Sequence, residues 1–183
     1  MLVDSDEHPR PDTTAESLGS LRPAFREGGT VTAGNASGIN DGAAAMVVLS
    51  EDRAAELGVQ PMGRILGYAW TGIAPEIMGF APVDAIRKAL DRAGIGIERV
   101  ELFELNEAFA AQAVAVQREL GIGREVLNVN GGAIAMGHPL GATGGMILGT
   151  MLDELERSGK STALTTLCIG AGMGTATIIE RVN

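Results

Sequence analysis

Val100-Glu-Leu-Phe-Glu-Leu-Asn-Glu-Ala-Phe-Ala-Ala-Gln-Ala-Val-Ala-Val-Gln-Arg-Glu-Leu-Gly121 is the stretch on which the fold turns. Residues 100–105 read as a short strand. Asn106 is a natural helix N-cap, the spacing predicts a helix over 107–120, and Gly121 closes it. Ala108, Phe109, Ala110, Ala111, Ala113, Val114, Ala115 and Val116 go all the way round that helix axis. A helix apolar on every side is expected to be covered on every side. A three-layer α/β domain leaves its helices half exposed, so this helix calls for a second sheet, which nothing else in the chain supplies.

The flanking sequence continues the alternation. Residues 43–49 are an apolar run of strand length, and Ser50 can cap a short helix that Gly58 stops. Residues 63–70 read as a strand. Pro82 opens a helix in which Val83, Ile86, Ala89, Leu90 and Ala93 recur at helical spacing up to Gly94. Downstream, 126–129 reads as a strand, followed by a glycine-rich loop. A helix over 142–157 turns Ile147, Leu148, Met151, Leu152 and Leu155 inward. Two last strands, 162–168 and 175–182, are joined by Gly170-Ala-Gly-Met-Gly174, a hairpin-like turn. Strands alternating with helices make this an α/β fold with a mixed sheet. Residues 1–39 differ: they hold three of the seven prolines and no sustained periodicity, so an irregular segment with little core of its own is expected.

Composition narrows the function. Of 183 residues, 45% are hydrophobic and 20% charged, which is globular rather than disordered. Net charge is −9, from 14 Lys+Arg against 23 Asp+Glu, and no basic run occurs, so no nucleic-acid partner is expected. No apolar run reaches the roughly 20 residues of a membrane span. The acidic N-terminus lacks a signal-peptide layout, and a cytoplasmic protein without membrane association is the expectation. One cysteine and two histidines leave little material for a disulfide or a metal site.

Three stretches place polar groups at strand ends, where α/β sites tend to form. In the first, Asn106 read alone is a helix cap and Glu107 complements a helix dipole. In the second, His138 sits between Gly137 and Pro139 just before a helix. Imidazole is suited to donate a hydrogen bond or take a proton near neutral pH, although a surface-loop histidine has the same sequence signature. In the third, Cys168 ends a buried strand, where a lone cysteine is ordinarily an inert small hydrophobe; the glycine turn after it offers backbone N–H groups for an oxyanion site. The Gly-x-Gly-x-x-Gly fingerprint of a nucleotide-binding first strand is absent from the chain start, which argues against a dinucleotide-dependent oxidoreductase.

The three stretches occur in one order, roughly 30 residues apart. Asn106-Glu-Ala-Phe109, the glycine-rich run Gly131-Gly-Ala-Ile-Ala-Met-Gly-His-Pro-Leu-Gly-Ala-Thr-Gly144 and Cys168-Ile-Gly-Ala-Gly-Met-Gly174 together resemble the thiolase family. Within it they resemble the C-terminal half of the acetyl-CoA acetyltransferases and 3-ketoacyl-CoA thiolases. Arg22-Pro-Ala-Phe25 and residues 30–45 extend the resemblance upstream over essentially the whole chain.

That resemblance implies acyl transfer between coenzyme A thioesters, by Claisen condensation or thiolysis, in lipid metabolism. It implies half of a five-layer αβαβα fold, with residues 1–39 as the tail of a coenzyme A-binding loop domain and 40–183 as the C-terminal domain. Cys168 would be the acid/base cysteine, with His138 and a water held by Asn106 as the oxyanion hole for the enolate, and the Gly170 N–H at a second hole. Ser37, Ala33 and Phe25 would contact the pantetheine of the acyl-CoA substrate, with Arg10 and Ser17 nearer its nucleotide. Met78 would line the acyl pocket. No covalently bound cofactor is implied. Two departures stand out: Ala171 occupies a position that is usually glycine, and the family's acyl-carrying nucleophilic cysteine lies in its N-terminal half, whereas Cys168 is this chain's single cysteine. Hence the expectation that the chain is inactive alone, works with an N-terminal thiolase half from the same gene or a separate chain, and forms homo-oligomers. The contrasting expectation is a non-catalytic coenzyme A-binding or interaction subunit.

Overall fold

The structure is a computed structural model describing residues 2–182. Its centre is a four-stranded mixed sheet. Strand β2 (Gly63–Gly72) is the edge, followed by β6 (Met173–Arg181), β5 (Thr162–Ile169) and β3 (Leu102–Leu105). β2 with β6 and β6 with β5 run antiparallel, while β3 and β5 run parallel, Leu105 lying opposite Thr166. The expected mixed α/β sheet is the one found.

Two helices cover one face. Helix α3 (Ala81–Ala93) has Pro82 in its first turn and ends at Gly94, whose φ of 66° is the left-handed cap that glycine adopts most readily. It buries Val83, Ile86 and Ala89 completely, against Ala69, Leu164 and Ile178 of the sheet. Helix α4 (Ala110–Leu120) joins this core through Val116. The other face is covered by helix α6 (Thr143–Ser158), whose Met151 and Leu155 pack on Leu102, Ala163 and Ile179.

The remaining elements are short. The N-terminal segment holds α1 (Ala15–Gly19), capped by Thr14, and the two-residue strand β1 (Ile39–Asn40). Helix α2 (Glu51–Leu57) is capped by Ser50 as its sequence suggests. Between β3 and α6 lie α5 (Ala133–Met136) and β4 (His138–Pro139), which pairs in parallel with β1. Among the described residues, no helix is long and apolar enough to cross a membrane.

The structure corrects four expectations. Helix α4 begins at Ala110, with extended Phe109 as its cap, so Asn106 is not a helix cap. Only Gln112 and Val116 of α4 are buried, and Val114 is exposed, so this helix is not covered on every side. Alanine is the reason: an alanine-rich surface is apolar by count but contributes little area that must be hidden. The helix alone on the far face of the sheet is α6. Residues 126–129 make no strand; a turn of 3-10 helix (Arg124–Val126) leads to a single bridge between Leu127 and Phe103. Residues 43–49 are irregular and exposed instead of a strand, because no strand of the described residues lies beside them to complete a ladder.

Candidate active site

Parallel pairing brings the C-terminal ends of β3 and β5 to one edge of the sheet. Asn106 follows β3 directly, and its N–H donates to Thr166 O at 3.0 Å, prolonging the ladder by one residue. With α4 starting four residues later, the Asn106 amide has no capping duty. It is 2% exposed, and its Nδ2 lies 3.3 Å from His138 Nε2.

His138 is fixed from three sides. Gly137 has φ +95°, and a Cβ there would lie 2.5 Å from Asn40 Oδ1. Glycine therefore lets β1 close on the loop, and His138 N–H donates to Asn40 Oδ1 at 3.0 Å. On the ring, Nδ1 lies 2.7 Å from Thr143 Oγ1, which itself lies 2.9 Å from the Pro139 carbonyl. Thr143 has one hydroxyl proton for two acceptors. With that proton on Pro139 O, Nδ1 carries the imidazole hydrogen and Nε2 accepts from Asn106. With the hydroxyl turned to Nδ1, Nε2 carries the hydrogen and can donate to an oxyanion. Burial lowers the His138 pKa, which favours the neutral ring that such a choice of tautomers requires.

A brace behind these two residues was not anticipated from the sequence. Asn128, at φ 49°, donates from Nδ2 to Leu105 O at 2.9 Å and accepts the Leu105 N–H at 2.8 Å. It thus takes the place of a neighbouring strand next to Asn106. The same Nδ2 donates to Glu107 Oε1 at 3.0 Å, and Glu107 Oε2 accepts the Ile134 N–H at 3.3 Å. Glu107 therefore ties the loop that carries His138 to the strand end that carries Asn106. In α6, Glu154 accepts from Asn130 Nδ2 at 3.1 Å and pairs with Arg157, whose hydrogen bonds hold its carboxyl below the usual range.

Cys168 lies near the end of β5, opposite Gly174. It is a free thiol, 7% exposed, and burial pushes its pKa up. Among the described residues it makes no side-chain hydrogen bond to Asn106 or His138; Cys168 and Asn106 lie at the C-terminal ends of the parallel pair β5 and β3. Gly170 is exposed in the turn from β5 to β6, where Ala171 has φ +66° and Gly172 φ +85°. Ala171 therefore sits in the left-handed region that glycine favours.

The residues expected at coenzyme A divide into two groups. Phe25 is 74% exposed and meets Phe109 edge-on, with ring centroids 6.1 Å apart. Ser37 N–H donates to Ala108 O, and Ala36 bridges Phe109, so Phe25 and Ser37 gather at the start of α4, next to Asn106. Ala33 lies in the turn just before them and is exposed. Met78 is half-buried in the 3-10 segment Pro75–Phe80, close to α4. Arg10 and Ser17 do not join the cluster: Arg10 is exposed, and the Ser17 hydroxyl is used in the capping box of α1. Among the described residues no group of three His, Cys, Asp or Glu side chains could hold a metal ion.

Comparisons with known proteins agree with one another. Residues 59–181 match the family described as "Thiolase, C-terminal domain", and residues 1–52 match "Thiolase, N-terminal domain". The chain is 57% identical over 181 residues to the acetyl-CoA acetyltransferase of Chromobacterium violaceum, and 54% identical over 184 residues to that of Syntrophomonas wolfei. These alignments take in 99% and 100% of this chain and 46% of each relative, so the chain spans about half the length of the curated relatives it matches. Among solved structures, the acetyl-CoA acetyltransferase of Bacillus anthracis superposes with a TM-score of 0.93 at 51% identity, over 97% of this chain and 45% of that one. Human mitochondrial 3-ketoacyl-CoA thiolase in complex with CoA superposes with a TM-score of 0.90 at 44% identity, over 99% and 46%.

Proposed function

Since the chain belongs to the thiolase family, we propose that it supplies the C-terminal part of the site of an acetyl-CoA acetyltransferase or 3-ketoacyl-CoA thiolase. The reaction is acyl transfer between coenzyme A thioesters. The observation that carries this reading is the pairing of the buried Asn106 amide with the His138 imidazole at the sheet edge. An α-proton of a thioester is weakly acidic, so its removal needs hydrogen-bond donors waiting where the enolate oxygen develops. Asn106, through a water, and His138 Nε2 can be those donors, Nε2 in the tautomer set when the Thr143 hydroxyl turns to Nδ1. Cys168 is the acid/base group. A thiol kept protonated by burial is ready to protonate the carbanion in thiolysis, and as a thiolate it removes the methyl proton in condensation. The Gly170 N–H serves the acyl carbonyl.

Phe25, Ser37 and Ala33 hold the pantetheine, with Met78 towards the acyl group and Arg10 and Ser17 towards the nucleotide. Residues 1–39 act as the tail of the coenzyme A-binding loop domain and 40–183 as the C-terminal domain. The acyl-carrying nucleophile comes from a thiolase N-terminal half, because Cys168 is the chain's one cysteine and has the acid/base part. Exposed residues 43–49 are where that half pairs, and the working protein is a cytoplasmic homo-oligomer.

Thiolysis of acetoacetyl-CoA by the purified chain, alone and with a thiolase N-terminal half added, tests this. The expected result is no turnover alone and turnover on addition, abolished by Cys168→Ala. Turnover by the chain alone would refute the need for a second half. Inactivity in both cases, with coenzyme A still bound, would make it a binding module.

A further inference from the structure

We propose that Glu104 is a positioning residue for Asn106: through one water in the cavity between them, the Glu104 carboxyl holds the amide with Oδ1 turned inward and Nδ2 turned to His138. The inference rests on the reading of Asn106 as an oxyanion-hole group, because the amide's orientation fixes where it holds the water that faces the enolate.

The placement follows from the pleat. Leu102, Glu104 and Asn106 alternate onto the α6 face, and Glu104 sits where the strand otherwise carries apolar side chains. It is 4% exposed. Glu104 Oε2 and Asn106 Oδ1 are both buried, and neither has a hydrogen-bond partner among the described residues. Both side chains line one cavity of about 30 Å³ between β3, α6 and the loop before His138. That space has room for a water molecule, and Thr143 and Thr150 offer further polar partners on the same wall.

Protonation supplies a hydrogen to a pair that is otherwise all acceptor. Burial, and then the nearby Glu107 charge, push the Glu104 pKa up to about 8, so at neutral pH it is a carboxylic acid with one hydrogen to give. Two bare oxygen acceptors cannot bond each other. A carboxyl O–H donating to a water, with that water donating to Asn106 Oδ1, satisfies both and leaves Nδ2 for His138. Among the described residues no other charged side chain lines the cavity: the loop contributes glycine, alanine and methionine, and α6 contributes methionine, isoleucine and threonine. The charge next in line, Glu107, is itself held by Asn128 and the Ile134 N–H.

The test is nuclear magnetic resonance on the whole unligated chain. The Glu104 carboxyl 13C signal should titrate near 8, and the Asn106 Nδ2 shift should follow the same midpoint, clear of His138 below its usual range and Cys168 above its own. In Glu104→Met the Asn106 side-chain NH2 should exchange with solvent about tenfold faster, roughly the loss of one hydrogen bond, while Glu104→Gln, which keeps a donor, stays within about twofold of the parent. An Asn106 shift that ignores the Glu104 midpoint overturns the proposal, as does equal exchange in Glu104→Met and parent. Should Glu104→Met not fold, the co-titration in the parent chain decides. All readouts are taken without substrate, so failure of the oxyanion reading would leave them unchanged.

Discussion

Two titratable groups at the site pull stability in opposite directions with pH. Glu104 ionises near 4.5 when unfolded and near 8 when folded. Between those values the folded chain keeps a proton that the unfolded chain has released, so stability falls as pH rises, by up to about 1.4 kcal/mol per pH unit, and levels off above 8. His138 has a lowered pKa, so its contribution rises with pH just below its ordinary value of 6.5 and is constant above it. The interval from 6.5 to 8 therefore isolates Glu104. Urea midpoints across it should decline in the parent chain and stay level in Glu104→Gln; parallel declines would remove the buried acid from the account. Cys168 gives a second residue-level expectation. As the chain's single cysteine, buried and with a raised pKa, it should be alkylated slowly at pH 7 and faster as pH climbs past its ordinary value of 9. Rapid labelling at neutral pH, read by intact mass, would show that the thiol is more open than the folded strand allows.

At the scale of elements, the turn from β5 to β6 is where sequence and geometry disagree most openly. Ala171 is held at φ +66°, a conformation that costs an L side chain roughly 1–2 kcal/mol and glycine little. Next to it, Gly172 admits no side chain, since a Cβ would come within 2.2 Å of Ile73 O, and Gly172 O accepts the Ile73 N–H at 2.7 Å. The turn cannot relax around Ala171 without giving up that contact. Ala171→Gly should thus stabilise the chain by about 1 kcal/mol in a urea titration, with no change in the slope; an unchanged midpoint would mean that the turn relaxes freely. The departure at Ala171 was legible in the sequence, and so were the strands and helices whose apolar residues recur at a clear period, from Val83–Leu90 of α3 to the β5–β6 hairpin. Asn106, His138 and Cys168 became candidates only jointly, through the order of their motifs. What escaped was whatever depends on contacts distant in sequence. Asn128 replaces a strand for Leu105 only because a left-handed residue turns its amide back on β3, and nothing local announces that. The alanines of α4 misled in the opposite way, since counting apolar residues around an axis ignores how small they are. Nothing in the sequence sets Glu104 apart from the strand around it, because its burial and the cavity it shares with Asn106 come from the packing of α6.

For the molecule as a whole, the informative quantity is area. The chain exposes 11306 Å², whereas a compact monomer of its 18.9 kDa would expose about 8,300 Å². Some of the excess belongs to the open N-terminal segment, and part of it is apolar: Val47 is 87% exposed, Val48 72% and Trp70 63%. Trp70 stacks on Tyr68 along the edge strand β2, with Arg92 laid over the indole at 5.7 Å, so this edge is padded by aromatic rings and one cation. Residues 43–49 have no such cover. An excess near 3,000 Å² exceeds what a standard protein interface buries in total, roughly 1,600 Å². The apolar part of such a surface drives association when nothing specific occupies it. The chain by itself should therefore self-associate in light scattering at about 100 μM, and an added thiolase N-terminal half should convert those species into a defined complex. Replacing Val47 and Val48 with serine should weaken both effects without touching Asn106, His138 or Cys168. A chain that stays monomeric at that concentration, and ignores the added half, would mean that the exposed run serves neither contact.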